Sequence, residues 1–302
     1  MTTTDLQRPA TAPAFQQVSS GRKTKNMMAT ILVGAAFVIA VIPLVWLLWT
    51  VLEKGFTHVL NAQWWQNSMA GLTSRQAGGG VYHAIYGTLI QGLVCAVIAV
   101  PIAIMVAIYL VEYGRNSRLA KWITFTVDIL SGVPSIVAAL FIYALWVTTL
   151  GLPRSAFAVS LALVMLMIPV VVRTTEELLK IVPDELREAS YALGIPKWKT
   201  IVKIVVPTAL SGIITGIMLA IARVMGETAP VLILVGYAQF INYDPFAGNM
   251  ASLPLFMNTE RQSLNDIGEA RVWGAAVTLI LIITVINLLA TLISRLTAVK
   301  TK

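Results

Sequence analysis

Six stretches of this chain are long, apolar and nearly free of charge: residues 27–52, 84–111, 123–150, 156–172, 208–236 and 272–296. A helix rises about 1.5 Å per residue, so about 20 apolar residues cross the hydrocarbon core of a bilayer. Within lipid, backbone groups have no water to pair with, and a helix satisfies them internally. The composition agrees: 57% of residues are hydrophobic and 12% charged, against about 25% charged in soluble domains. Too little charge remains to coat a water-exposed surface. A soluble globular enzyme, a disordered chain and a secreted disulfide scaffold are thereby excluded. Cys95 is the single cysteine, which rules out an internal disulfide and a thiolate metal cluster. The expected fold class is an all-α membrane protein with six transmembrane helices.

The charges orient these spans. The net charge is +8, and sixteen of the 22 Lys and Arg fall in segments that alternation places on one side. These are Arg8 with the N-terminal cluster Arg22, Lys23 and Lys25, the link holding Arg115, Arg118 and Lys121, the segment 173–207, and the C-terminal end. Cytoplasmic loops carry such an excess, so both termini are expected in the cytoplasm. The basic balance therefore sets topology rather than nucleic-acid binding. The run 27–52 is too long for a signal-peptide core of about 7–15 residues, and Trp46, Trp49, Glu53 and Lys54 end it like an interfacial stop. The chain then divides into a disordered cytoplasmic tail (1–26), a first transmembrane helix (27–52), an extracytoplasmic loop (53–83), a membrane core (84–296) and a cytoplasmic tail (297–302). The long outer loop, 237–271, contains Leu253-Pro254-Leu255-Phe256, expected to pack on the helix ends rather than dip back into the membrane. No repeat of 20–50 residues is evident, so an inverted-repeat secondary transporter gains no support.

The loop 173–207 is polar yet reads as helix. Pro183 suits a first helical position, Asp184 and Glu185 place negative charge at the positive end of the dipole, and Gly194 followed by Pro196 ends the segment. Glu188, Ala189, Ser190, Ala192, Leu193 and Gly194 form a small-residue surface with an acidic rim, a lever onto which a partner can close. Glu188-Ala189-Ser190, Gly194, Ile204 and Val206-Pro207 fit the spacing E-A-A-x3-G-x9-I-x-L-P, with Ser for the second Ala and Val for Leu. In this the chain resembles the permease subunits of type I ABC importers, the MetI-like fold. The resemblance implies that Glu188, Ala189, Ser190, Leu193 and Gly194 lie on a coupling helix docked in a cytoplasmic ATPase. The chain itself has no G-x-x-x-x-G-K-[ST], so it is expected not to be an enzyme.

Ions inside spans are costly and usually face a bundle interior or a cavity. Arg223 and Glu227 are four apart in the fifth apolar run, which predicts a shared helical face. They either neutralise each other or form an anion site, a guanidinium being a planar donor fork fitted to oxyanions. Arg173, at the end of the fourth run, is either a cytoplasmic anchor or part of the inner mouth of a pathway. Asp128 precedes Ser131-Gly132-Val133-Pro134-Ser135, where Gly132 is expected to serve tight packing. Gly212 and Gly216 form a small-xxx-small pair, expected to be a packing face. His58 and His83 lack paired ligand spacing and read as solvated or interfacial, with no metal site.

From about residue 82 onward the chain is similar to the phosphate-specific branch of that superfamily, the PstA family. The resemblance rests on Ser131 to Ile136, on Arg173 before Thr174-Thr175-Glu176-Glu177, and on Gly226-Glu227-Thr228-Ala229-Pro230. It implies that Arg223 and Arg173 serve phosphate passage in a bacterial cytoplasmic membrane. It also implies a PstC-like second permease, a homodimeric PstB-like ATPase holding ATP and Mg, and a PstS-like extracytoplasmic phosphate-binding protein. Glu227 is expected to accept a hydrogen bond from protonated phosphate. Permeases for sulfate or molybdate, a secondary anion transporter or channel, and a membrane enzyme are the competing readings.

Overall fold

The computed structural model describes residues 20–73, 75–115 and 117–297, and the described residues fold as helices joined by turns. Expectations for residues 1–19 and 298–302 lie outside them. The chain divides after Thr50 into two units. In the first, helix α1 begins at Ser20, so residues 20–26 are helical and not part of a disordered tail. Arg22, Lys23 and Lys25 occupy its opening turns. The remainder of this unit is apolar around its whole circumference, with Leu32, Phe37 and Trp46 all strongly exposed; such a helix needs lipid as its solvent.

The second unit starts with the end of α1 (Ser20–Val59) and a short α2 (Ala62–Gln66), capped by the Asn61 side chain. Helix α3 (Tyr82–Ile108) continues through a π turn to Tyr113. Helices α4 (Arg118–Ser131) and α5 (Ser135–Ile142, continuing to Thr149 as a π turn) follow. Next come α6 (Ala156–Ile181), α7 (Asp184–Ala192), α8 (Lys197–Thr200, running through a π turn into α9), α9 (Val206–Met225), α10 (Ala229–Leu234), α11 (Leu253–Arg261) and α12 (Asp266–Thr297). Among the described residues five helices are long and apolar enough to cross a membrane, or six if α4 and α5 count as one span. Those two meet at 106°. Pro134 explains the break: it disfavours helix in the residue before it and lacks an N–H for the ladder.

Three further boundaries differ from the sequence reading. The fourth span does not end near Arg173, because Pro169 is absorbed and α6 runs on to Ile181; the link that follows it is thus shorter than 173–207. The fifth span is helical from Lys197 to Met225 and stops there, with Gly226 as its cap and Pro230 starting the separate α10. Gly132 is a helix cap with its Cβ position nearly open, so it is not a packing glycine.

Helix α6 is the centre of the second unit, wrapped by α3, α4, α5, α9 and α10. Its core is built from small and branched residues, among them Ala99, Ala103, Ala158, Val159, Ala162 and Val171, which lets helices approach closely. Gly212 and Gly216 do face a partner: a Cβ at either would meet Leu178 or Thr174 of α6 at 2.6 and 2.9 Å. The segment Leu253-Pro254-Leu255-Phe256 is the buried first turn of α11, packed on α12 and α3. Gly87 permits this, since a Cβ there would run into the Ala251 carbonyl. His83 is buried rather than solvated, with Nε2 3.3 Å from the Tyr237 hydroxyl.

Candidate functional site

Helix α7 begins one residue later than expected. Pro183 is its N-cap, extended at ψ 138°, and Asp184 and Glu185 fill the first turn. Gly194 closes the helix at φ +72°, a left-handed conformation that glycine adopts without strain. Its N–H bonds the Tyr191 carbonyl at 2.9 Å and Ile195 N–H bonds that of Ser190 at 3.2 Å. Glu188, Ala189, Leu193 and Gly194 are exposed on this ledge, Leu193 at 80% of its area. Ser190 is the exception: it is 2% exposed and its hydroxyl lies 2.8 Å from that of Thr200 on α8. It faces inward and holds α7 to the start of the α8–α9 run, so it is not part of the ledge.

A second tie was not visible in the sequence. Arg187, on the inner side of α7, donates to Glu112 at the end of α3 at 2.9 and 3.1 Å. It also donates to the carbonyls of Val182 at 2.6 Å and Leu179 at 3.0 Å. Those carbonyls belong to the end of α6, where helix acceptors lack internal partners. The side chains are 11% and 5% exposed. Lys197 bonds the Glu112 carbonyl and sits 4.9 Å over the Tyr113 ring. One helix of nine residues is therefore fixed to α3, α6 and α8 at once. No local signal links Glu112 to Arg187, which lie 75 residues apart.

The intramembrane ions are arranged differently from the expectation. Arg223 and Glu227 do not form an i, i+4 pair, because the helix ends between them at Met225. Neither takes part in the ion pairs found among the described residues. Arg223 is exposed near the end of α9, while Glu227, half-buried in the α9–α10 break, borders a small polar cavity. Arg173 instead forms a network: it pairs with Asp128 of α4 and, at 2.9 Å, with Glu176, which also binds Lys180 at 2.7 Å. Since Gly216 lies against Thr174, Arg223 stands seven residues farther along α9 than the level of Arg173, about 10 Å in helical rise. The two cations occupy separate depths.

At the opposite end of the unit, Arg271 is 1% exposed and bonds Glu260 at 3.1 Å and the carbonyls of Gln76 and Gly78. This pins the outer loop onto α11 and α12. Tyr237 lies nearby, and burial, reinforced by Glu260, pushes its phenol above the ordinary range, so it stays a neutral hydrogen-bonding group.

Residues 99–299 match the family described as binding-protein-dependent transport system inner membrane component. The chain is 58% identical, over 95% of its length and 94% of the other protein, to phosphate transport system permease protein PstA 1 of Mycobacterium tuberculosis. It is 38% identical to phosphate transport system permease protein PstA of Yersinia pestis, covering 97% and 98% of the two chains. A crystal structure of a bacterial ABC transporter involved in import of the acidic polysaccharide alginate superposes with a TM-score of 0.61 at 15% identity, over 93% of this chain and 100% of that one. An inward-facing MetNI methionine ABC transporter structure does so at 0.55 and 18%, over 72% and 94%. The two structural likenesses concern the fold alone.

Proposed function

The chain belongs to the binding-protein-dependent transport system inner membrane component family, and from that membership together with its likeness to phosphate transport system permeases we propose that it is the permease subunit of an ATP-driven importer of inorganic phosphate. The observation that carries the mechanism is the attachment of α7. An ATPase closing on the ledge of Glu188, Ala189, Leu193 and Gly194 would displace a helix tied through Arg187 to α3 and through Ser190 to the α8–α9 run. Displacement of α7 is thus displacement of two spans, which is what alternating access requires. ATP and Mg belong to the partner ATPase in this reading. The other partners are a second homologous permease and an extracytoplasmic phosphate-binding protein, the PstC-, PstB- and PstS-like set.

Arg223 supplies an unpaired cation and Arg173 a second one at the level of Asp128, nearer the cytoplasmic links. A transported anion needs attraction without tight capture. Asp128 and Glu176 temper Arg173 in that sense. Placement of both termini in the cytoplasm of a bacterial inner membrane follows from the cation bias. The test is to assemble the chain with its ATPase, second permease and binding protein in proteoliposomes. Phosphate should stimulate ATP hydrolysis and its own uptake, with excess sulfate or molybdate competing weakly. Equal uptake of sulfate would sink the phosphate reading, and uptake without the ATPase would favour a secondary transporter.

A further inference from the structure

Where α3, α6, the α9–α10 break and the first turn of α11 meet, the chain encloses a cavity of about 10 Å³ whose lining includes Thr88, Gln91, Glu227 and Ser252. Gln91 and Ser252 are 3% and 1% exposed, yet Gln91 Nε2 and Ser252 Oγ have no hydrogen-bond partner. Thr88 beside them is fully used, donating to the Ala84 carbonyl at 2.9 Å and accepting from Leu253 N–H at 2.8 Å. That second bond has a consequence for Ser252. A serine at a helix N-cap ordinarily turns its oxygen back onto the first N–H groups, but Ser252 at the cap of α11 makes no such bond. Its hydroxyl is left for the cavity. Buried donors without acceptors are rare and unfavourable, and two of them at one cavity call for an acceptor there.

We propose that Gln91 and Ser252 are substrate-contacting residues, donating to oxyanion oxygens while Glu227 accepts the hydrogen of a P–OH group. The assignment rests on the phosphate reading above and deepens it. The donor set is neutral, and its one charged member is an acceptor. A fully ionised tetrahedral anion such as sulfate offers no hydrogen to Glu227 and sets its charge against the carboxylate. Hydrogen phosphate offers acceptors to Gln91 and Ser252 and a donor to Glu227. Selectivity then comes from protonation, not from size.

The position fits a transient contact. Gln91 stands nine residues into α3 and Leu163, on the same cavity, seven residues into α6, about 11–14 Å of helical rise from their outer ends. That is near the middle of a hydrocarbon core about 30 Å thick. The cavity accommodates one water-sized oxygen, so the anion enters it by one oxygen unless the walls part. Two of those walls are element ends, Met225 before the Gly226 break and Pro254 in the first turn of α11, set against the continuous helices α3 and α6.

The experiment uses the complete transporter in proteoliposomes and compares Ser252→Ala and Gln91→Met with the unaltered chain. Each change removes a donor that forms no bond in the fold, so the melting temperature of the assembled complex should hold or rise. Phosphate taken up per ATP hydrolysed should fall about tenfold, the scale of one lost hydrogen bond to an anion. Glu227→Gln should narrow the preference for phosphate over sulfate. Unchanged phosphate uptake in both donor variants would overturn the proposal while leaving the proposed function intact. A loss of uptake accompanied by a lower melting temperature would overturn it too, by showing a packing role. An unaltered complex that does not prefer phosphate to sulfate would instead overturn the function reading.

Discussion

Replacing Glu112 by Gln leaves the Arg187 guanidinium in place but removes its only buried counter-charge. Both side chains are nearly enclosed, at 11% and 5% exposure. Breaking such a pair from one side costs about 3–5 kcal/mol, because the surviving charge stays desolvated. Arg187 keeps the Val182 and Leu179 carbonyls at 2.6 and 3.0 Å and the exposed Asp184 carboxylate at 3.2 Å. The lower end, about 3 kcal/mol, is therefore expected, roughly a hundredfold shift in the population of docked α7. Hydrogen exchange of the amides in 184–192 should accelerate by about that factor, with the amides of α12 unaffected. Transport should uncouple, so that less phosphate moves per ATP. The double variant Glu112→Met/Arg187→Met removes both charges and leaves the Leu179, Val182 and Pro183 carbonyls short of a donor. It should recover much of the loss, giving a coupling energy of about 2 kcal/mol between the sites. Additive single effects, or unchanged exchange in α7, would refute the claim that this pair holds the lever.

Leu193→Asp alters a side chain that is 80% exposed, so stability should stay within about 0.5 kcal/mol while the ATPase no longer co-purifies; retained co-purification would remove Leu193 from the docking ledge. Gly194→Ala places a Cβ in open space but at φ +72°, so the cost should be conformational only, about 1 kcal/mol in melting experiments. Gly194→Asn should cost less, and equal costs would refute the backbone explanation. Glu260→Gln strands Arg271, whose side chain is 2% exposed, and should release the loop held at Gln76 and Gly78. Faster tryptic cleavage at Arg75 is the readout, and cleavage at the unaltered rate would show that the loop is held by its aromatic packing alone.

The sequence showed what depends on local pattern. Apolar run lengths located the spans, Pro183 with Asp184 and Gly194 bracketed α7 to within a residue, and the spacing of Gly212 and Gly216 marked a true packing face. Several of the readings that changed required knowing where a helix ends. A Pro inside a run stops a helix at 134 and 230 but is absorbed at 43, 101 and 169. The proline alone therefore does not tell a break from a continuous helix, since Pro43 is absorbed even in an exposed span. Arg223 and Glu227 illustrate the consequence: a four-residue interval implies a shared face only while the helix continues. Ser190 shows a second limit. Its place in a motif marked it as part of α7, but only the hydroxyl of Thr200 on the next helix decides that it faces inward.

The same helix ends connect the two halves of the proposed mechanism. In that mechanism α7 would act on α9 through Thr200, near the start of a helical run that reaches Met225. That run is about 43 Å long at 1.5 Å per residue, enough to carry a rigid displacement from the cytoplasmic ledge to the polar cavity. Had the helix continued through Gly226, Glu227 would have moved with it and kept its position relative to Arg223. Because the helix stops there, a displacement of α9 moves Val224 and Met225 relative to Glu227, and so changes the shape of the cavity that Gln91 on α3 and Ser252 on α11 also line. Joining α9 to α10 by replacing Gly226 with Ala and Pro230 with Leu should therefore leave ATPase docking intact and reduce phosphate moved per ATP. Unimpaired transport in that variant would show that the break is only a bend in the span, with no part in opening the cavity.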